Sequence, residues 1–190
     1  MVRAGLTPAL VISEAGDLAD EVGFGNLTIS ALAQRLGVRQ PTLYKHVTGT
    51  SGLHREMAIL AKLELADVMR RSAVGKSGDD ALIAISIAYR AWATEHPGRY
   101  AATVRAPATG DDGDETASRE ALEVVTTVLD GFGITGDDAI DVTRSFRAAL
   151  HGFVSLEAAG GFGLPTDVDR SFDRLIHSLV RAITDGRIAP

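Results

Sequence analysis

The spacing of apolar residues constrains this chain more than any other feature of its sequence. Along most of its length, apolar residues recur every three or four positions, which is the period of an α-helix. No segment alternates apolar and polar residues as a half-buried strand does. Glycine, proline and short polar runs separate about nine helical segments. The sequence therefore predicts an all-α protein of about nine helices.

The composition excludes several classes of protein. Of the 190 residues, 45% are hydrophobic and 23% are charged, as in ordinary globular domains. There is no cysteine, which excludes disulfide bonds, thiolate metal sites and cysteine nucleophiles. No segment approaches the roughly 18 apolar residues of a membrane-spanning helix, and the first residues lack the long apolar run of a signal peptide. We expect a cytoplasmic protein that does not contact a membrane.

The sequence patterns that mark enzymes and metal sites are missing. The five histidines do not have metal-ligand spacing. The acidic run at 110–115 lacks the ordered positions of a calcium loop. The glycine-rich segments do not follow strands, and there is no P-loop or nucleophile elbow. We therefore expect no catalytic residue, no bound metal and no cofactor.

A helix-turn-helix is predicted near the N terminus. Thr28 is a candidate N-cap for a helix that ends at Leu36, and Gly37 supplies the turn to a second helix, Gln40–Val47. The second helix has only two apolar positions to anchor it. Its polar side chains can donate to base edges and phosphates, and they are Arg39, Gln40, Thr42, Tyr44, Lys45 and His46.

The charge of the whole chain argues against DNA binding, but the distribution of that charge does not. The net charge is −6, whereas nucleic-acid-binding proteins are usually basic. Residues 26–55 contain four basic residues and no acidic one, while residues 73–190 contain 11 basic and 18 acidic residues. The predicted helix-turn-helix is therefore locally basic, and the acidity belongs to the C-terminal part.

The segment from Leu27 to Val47 resembles the DNA-binding motif of the TetR family of transcriptional regulators. The likeness runs from about Gly5 to Met57, and its most specific part is Leu-Gly-Val, two residues, Pro-Thr-Leu-Tyr, one residue, His. The resemblance implies that the second helix enters the major groove. Residues at or near base edges would be Arg39, Gln40, Pro41 and Tyr44, and residues near phosphates would be Thr28, Ser30, Thr42, Tyr44 and His46. Lys45 and Thr50 are further candidates for DNA contact, Lys45 as a cation and Thr50 as a hydroxyl donor.

One departure from the family concerns the turn after the second helix. The family usually has lysines there, but this chain has Thr48 and Thr50. Thr50 can cap the next helix, and backbone amides at that helix terminus can meet a phosphate. We expect DNA binding that is weaker and less dependent on salt. The departure also leaves open an alternative, a helical protein that binds a small molecule and has lost its DNA role.

The resemblance also implies a division of labour along the chain. Residues 1–50 would form the DNA-binding domain, and residues 51–190 would bind a ligand and dimerise through the last two helices, about 136–159 and 167–185. The sequence agrees, because the first of these helices carries two apolar lines, one through Val142 and Phe146 and the other through Leu150 and Val154. Burial of both lines within one monomer is the alternative.

Several residues of the C-terminal part are candidates for a ligand pocket. The part resembles a subtype named WHG for its Trp, His and Gly residues, which here are Trp92, His96 and His151-Gly152. A pocket is apolar with a few polar groups, and the candidates are Tyr89, Trp92, His96, Tyr100, Phe146 and His151. For each aromatic candidate alone, a place in the core is the favoured alternative. His96 can instead cap a helix end, and His151 can equally be a buried histidine that bonds a backbone carbonyl.

These expectations combine into one functional prediction. The chain is expected to be a ligand-responsive transcriptional regulator and not an enzyme. It would act as a repressor that binds a palindromic operator as a homodimer, and a small-molecule effector would release it.

Overall fold

The computed structural model describes residues 6–185 and confirms the all-α prediction. Nine α-helices and no strand are present among these residues. The helices are α1 (Pro8–Val22), α2 (Ile29–Leu36), α3 (Gln40–Leu43), α4 (Gly49–Ala73), α5 (Gly78–Glu95), α6 (Pro97–Thr103), α7 (Asp112–Asp130), α8 (Gly136–Ala158) and α9 (Val168–Thr184). A 3₁₀ turn, Phe24–Asn26, links α1 to α2. Within residues 6–185, no helix combines the length and the apolar character needed to cross a membrane.

The chain divides into two compact units. Unit 1 contains the residues up to 64 together with residues 96–118, and unit 2 contains residues 65–95 and those from 119 onward. The backbone therefore passes between the units three times, within α4, between α5 and α6, and within α7. The expected division of labour at residue 50 concerns function and not packing, and it stays a prediction.

Local residues determine the ends of the first two helices. Thr7 caps α1 by accepting a hydrogen bond from the Leu10 amide at 3.2 Å, and Thr28 caps α2 by accepting one from the Ala31 amide at 3.1 Å. Gly37 ends α2 in the left-handed region, with φ of 64°, which a residue with a side chain rarely adopts. The predicted start of α2 at Thr28 and the predicted turn at Gly37 are confirmed.

The predicted helix Gln40–Val47 is too long. The helix α3 ends at Leu43, and the amides of His46 and Val47 both donate to the Leu43 carbonyl, at 2.8 and 3.0 Å. This tight turn brings the Val47 side chain into the core, where it is 4% exposed. Gly49 then begins α4. The burial of Val47 has overridden the local helical pattern.

The N-cap residues of α8 and α9 are Thr135 and Asp167. Thr135 holds the N-cap position of α8, but its side chain makes no capping hydrogen bond. Asp167 caps α9 instead of Thr166, and its Oδ1 accepts from the amides of Asp169 and Arg170 at 2.9 and 3.2 Å. A carboxylate accepts amide hydrogen bonds more strongly than a hydroxyl does, which favours the cap one residue later.

Most of each apolar line of α8 lies in the core of unit 2, while Leu156 at its end is exposed. Val142, Phe146, Leu150 and Val154 are all buried in the single chain. The alternative that the sequence left open is therefore correct for these residues. The second apolar line of α8 gives no argument for a dimer.

Helix α6 packs on α1 at a distance that glycine alone allows. A Cβ on Gly98 would lie 2.0 Å from the Ala19 carbonyl oxygen and 2.5 Å from the Asp20 amide nitrogen. A Cβ on Gly16 would lie 2.6 Å from Nε of the buried Arg99. The junction between α1 and α6 therefore depends on the absence of two side chains.

We predict that Gly98→Ala destabilises the protein. The added methyl group meets backbone atoms that cannot rotate away, so the free energy of unfolding should fall by about 1–3 kcal/mol or more. Urea denaturation followed by circular dichroism measures this change. Gly25→Ala is the control, because no atom lies within 4 Å of a Cβ at Gly25. Equal effects of the two substitutions would contradict the close-contact explanation.

Candidate nucleic-acid interface

The helix-turn-helix is anchored by a shared apolar core in unit 1. Side chains from α1, α2, α3 and the first turns of α4 form this core, and its larger members include Val11, Leu27, Ile29, Leu32, Leu43, Val47, Leu53 and Met57. The segment 39–47 contributes two fully or nearly fully buried residues, Leu43 and Val47. Because only these two side chains are buried, most of the segment remains accessible to solvent.

The residues expected to meet DNA lie at the surface. Eight of them are exposed: Thr28, Ser30, Arg39, Gln40, Pro41, Tyr44, Lys45 and Thr50. Thr42 and His46 are half-buried. Tyr44 is 57% exposed, which is high for a large aromatic side chain. The segment thus presents hydrogen-bonding side chains and an aromatic ring, while the role of each residue stays a prediction.

Thr50 does not hold the capping position that the sequence predicted for it at the start of α4. Because α4 begins at Gly49, Thr50 lies within its first turn, and Thr48 immediately precedes the helix. A Cβ on Gly52 would lie 2.2 Å from Thr48 Oγ1, so the Thr48 hydroxyl lies over the first turn. The prediction that Thr50 caps α4 is wrong, and Thr48 holds the preceding position. The exposed Thr50 hydroxyl keeps its capacity to donate a hydrogen bond.

Ion pairs reduce the local positive charge of the motif. Arg35 Nε lies 2.9 Å from Glu14 Oε2, and Arg35 Nη1 lies 2.8 Å from Glu21 Oε2, so α2 is tied to α1. Hydrogen bonds to these two carboxylates raise the pKa of Arg35. The guanidinium is therefore directed toward α1 and is not available to a phosphate.

The same applies to Arg55 on α4. Its Nε donates to Asp111 Oδ2 at 2.6 Å, and its Nη1 pairs with Glu56. The hydrogen bond from Arg55 lowers the pKa of the Asp111 carboxyl. Of the four basic residues in segment 26–55, only Arg39 and Lys45 form no ion pair within the described part of the chain.

His54 helps to position the motif, although sequence reasoning did not identify it. Its Nε2 lies 2.8 Å from the Leu27 carbonyl oxygen, and its ring centroid lies 4.6 Å from that of Phe24. The side chain therefore joins α4 to the segment that leads into α2. The contact could not be predicted, because no local sequence pattern around this sixth residue of α4 indicates it.

The candidate ligand residues are mostly buried and are not all in one unit. Tyr89, Trp92 and Phe146 are buried in unit 2, and Tyr100 is buried in unit 1. His96, in unit 1, is half-buried with Nδ1 3.1 Å from Asp20 Oδ2. Half-buried His151, in unit 2, has its ring nitrogens 3.4 Å from Ser155 Oγ.

Two clefts in unit 2 are lined by residues other than these candidates. One of about 450 Å³ lies between α4 and α7, and another of about 730 Å³ lies between α5 and α9. None of the six residues lines either cleft. Among the described residues, no cluster of three or more His, Asp or Glu side chains could hold a metal ion. The ligand assignment stays a prediction.

The fold and the exposed motif define a class of protein, the DNA-binding regulators with an N-terminal helix-turn-helix. A family model described as "Bacterial regulatory proteins, tetR family" matches residues 11–57. A second model, "Tetracyclin repressor-like, C-terminal domain", matches residues 82–179, more than half of the chain. The chain belongs to the TetR family of transcriptional regulators. The finer assignment to the WHG subtype stays a prediction.

Relatives and solved structures agree with this family. An uncharacterised HTH-type transcriptional regulator of Mycobacterium tuberculosis, Rv0681, is 37% identical over 98% of this chain and 87% of its own length. The regulator YobS of Bacillus subtilis is 31% identical over 95% of this chain and 94% of its own length. The structure of a TetR variant of Acinetobacter baumannii bound to minocycline has a TM-score of 0.73, with 24% identity and coverage of 96% of this chain and 99% of that one.

We predict that Lys45→Gln makes DNA binding less dependent on salt. Each phosphate that a protein cation neutralises contributes about −0.9 to the slope of log K against log salt. If Lys45 neutralises a phosphate, the slope should therefore become shallower by about 0.9 for each copy of the chain bound to the duplex. Fluorescence anisotropy with a labelled duplex at several salt concentrations measures it. Arg181→Gln, which removes an exposed charge of α9 in unit 2, is the control. An identical slope for Lys45→Gln and the parent protein would show that Lys45 does not contact a DNA phosphate.

Proposed function

We propose that this protein is a repressor that binds a palindromic operator as a homodimer and leaves it when a small-molecule effector binds. The observation that carries the proposal is the segment 39–46. It is anchored by the buried Leu43, and it presents Arg39, Gln40, Tyr44 and Lys45 to solvent. Such a segment fits the major groove, which is wide enough to admit a helix.

The exposed side chains suit both parts of DNA recognition. Gln40 can make a paired hydrogen bond to adenine, and Arg39 can make one to guanine. Tyr44 and the Thr42 hydroxyl suit phosphates, which fix the register of a protein on the duplex. The small number of unpaired cations supports an interface in which hydrogen bonds carry more of the affinity than charge does. Operator binding of this kind takes place in the cytoplasm.

The alternative is a ligand-binding helical protein without a DNA role. Its support was the absence of lysines at Thr48 and Thr50, and the pairing of Arg35 and Arg55 adds to it. The exposure of Tyr44 favours DNA binding, because a large aromatic ring in a polar surface segment has no packing role in the chain. We therefore retain the DNA-binding function.

The dimer proposal rests on α9. Its residues Phe172, Ile176, Val180 and Ile183 are buried in unit 2. A second apolar line, about a quarter turn away, is only half-buried and consists of Val168, Leu175, Leu179 and Ala182.

Helix α8 and the following loop extend this apolar surface. Leu156 on α8 is 53% exposed, and Phe162 and Leu164 in the loop are exposed as well. Gly152, with no atom within 4 Å of a Cβ, leaves room for another helix on the outer side of α8. A second copy of the chain, related by twofold symmetry, would cover this surface with the same surface of its own.

Effector release follows from a difference in affinity. A ligand that binds one arrangement of the protein better than the operator-bound arrangement shifts the population away from DNA. The buried aromatic residues of unit 2, together with the half-buried His151, are the groups that would surround such a ligand. The solved structure of an Acinetobacter baumannii TetR variant in complex with minocycline supports a small-molecule ligand for this fold.

Selection from random duplexes tests the DNA-binding proposal. The full chain should recover a palindrome with half-sites about 10 base pairs apart, one helical turn. Tyr44→Ala should then weaken binding to that duplex by about tenfold, the size of one lost contact. Its melting temperature should not change, because the ring is mostly exposed. Val74→Ala, at an exposed apolar residue of unit 2, is the control.

Two outcomes would contradict this proposal. Recovery of no enriched sequence would favour the alternative without a DNA role. An unchanged affinity of Tyr44→Ala would show that the family position of this residue does not transfer to this chain.

The dimer surface has its own test, Leu179→Glu. A carboxylate on the half-buried apolar line of α9 should oppose association, because the charge would be buried against a second copy without a partner. Light scattering at micromolar concentration should give one 20.0 kDa chain for the variant and twice that mass for the parent protein. Arg181→Glu, on the exposed side of the same helix, is the control. A parent protein of single-chain mass would refute the dimer.

A further inference from the structure

Arg99 is a buried cation that joins three helices of unit 1. It is 7% exposed and lies on α6. Its Nη2 donates to Asp17 Oδ1 at 2.7 Å, its Nη1 pairs with Asp20, and its backbone amide donates to Asp20 Oδ1 at 2.8 Å. Its Nε lies 3.4 Å from Glu64 Oε2 on α4. One guanidinium therefore holds carboxylates of α1 and α4.

The backbone around Arg99 is shaped to receive it. Gly16 on α1 leaves the space that the guanidinium fills, and Gly98 lets the start of α6 rest on the Ala19 carbonyl. A surface arginine that pairs with a carboxylate by chance needs no such space. The two glycines make Arg99 part of a built junction between α1 and α6.

The junction includes residues at which the backbone passes from one unit to the other. Glu64 is the last residue of unit 1 before α4 continues into unit 2, and His96 is the first residue of unit 1 after α5. His96 Nδ1 lies 3.1 Å from Asp20 Oδ2, the carboxylate that Arg99 also holds. Two of the three passages of the backbone between the units are therefore connected to α1 through this one cluster.

The links of the cluster differ in strength. The links to Asp17 and Asp20 are short, whereas Arg99 Nε makes no hydrogen bond although it is buried. Burial raises the pKa of Glu64, and the charges of Arg99 and His96 offset this effect only in part. Helix α6 is thus held firmly to α1, and α4 is held more loosely at Glu64.

We propose that Arg99 is a positioning residue for operator binding. It fixes α1 to the two places where the backbone passes between the units, at Glu64 and at His96. In this way it sets the separation between half-sites that the dimer accepts. The proposal rests on the function proposed above. Helix α1 shares its core with α2 and α3, so a change in how α1 is held changes how α3 is presented. If Arg99 served only to stabilise the fold, a folded variant would keep the same preference for half-site separation.

The experiment measures affinity for a series of operators. The palindrome recovered by selection is rebuilt with its half-sites moved closer or farther apart by one and two base pairs. The full-length parent, Arg99→Gln and Arg99→Lys are compared, each well below its own melting temperature. The parent should bind one separation best, and Arg99→Gln should lose about tenfold in its preference for that separation over the others. Arg99→Lys, which keeps the charge but not the fork of donors, should fall between them.

A milder pair of variants guards against misfolding. Asp17→Asn removes a carboxylate whose side chain is 46% exposed and that Arg99 holds. Asp67→Asn is the matched control, because this carboxylate is 47% exposed and pairs with Arg71 within unit 2. The first should reduce the preference for half-site separation by a few-fold, and the second should leave it at the parent value.

The outcomes separate this inference from the proposed function. A parent protein that binds no duplex would overturn the proposed function. A parent that binds with a clear preference, together with folded Arg99 variants that keep the same preference, would overturn the role of Arg99. An Asp67→Asn variant that loses the preference as much as Asp17→Asn does would overturn it as well.

Discussion

The fold of unit 1 depends on the burial of a few apolar side chains from short helices. Helix α3 has four residues and could not persist alone, because the first turn of a helix costs more than it returns. Leu43 and Val47 hold its segment against α1, α2 and the start of α4. The same anchoring leaves Arg39, Gln40, Pro41, Tyr44 and Lys45 exposed. Packing thus decides both that α3 exists and which of its residues another molecule can reach.

A second constraint concerns charge, because four arginines join separate segments of the fold. Arg35 and Arg55 each bring two segments of unit 1 together, and Arg99 brings three helices together. In unit 2, Arg90 pairs with Glu157 and Asp169 while lying 4.8 Å from the Phe172 ring. The net charge of a segment is therefore a poor guide to the charge that it offers a ligand.

The sequence predicted what depends on neighbours along the chain. Thr28 and Gly37 bound α2 as expected, because capping and left-handed turns are local. The length of α3 was not predictable, since it depends on where Val47 packs. The pairing of Arg35 was missed for the same reason, although Glu14 and Glu21 are seven positions apart, which places them on one face of α1. For the ligand candidates, residue type and burial alone do not distinguish a core residue such as Phe146 from one that lines a pocket.

The pairing of Arg35 and Arg55 also bears on how quickly such a protein finds its site. Non-specific attraction to DNA is almost entirely electrostatic, and it determines how long a protein dwells on unrelated sequence. If the protein acts as proposed, with Arg39 and Lys45 as the unpaired cations of the segment, its dwell on unrelated DNA and each one-dimensional scan along the duplex would be short. Its search would then depend on repeated encounters from solution. A short dwell also means that little of the protein is held by the many competing sites of a genome.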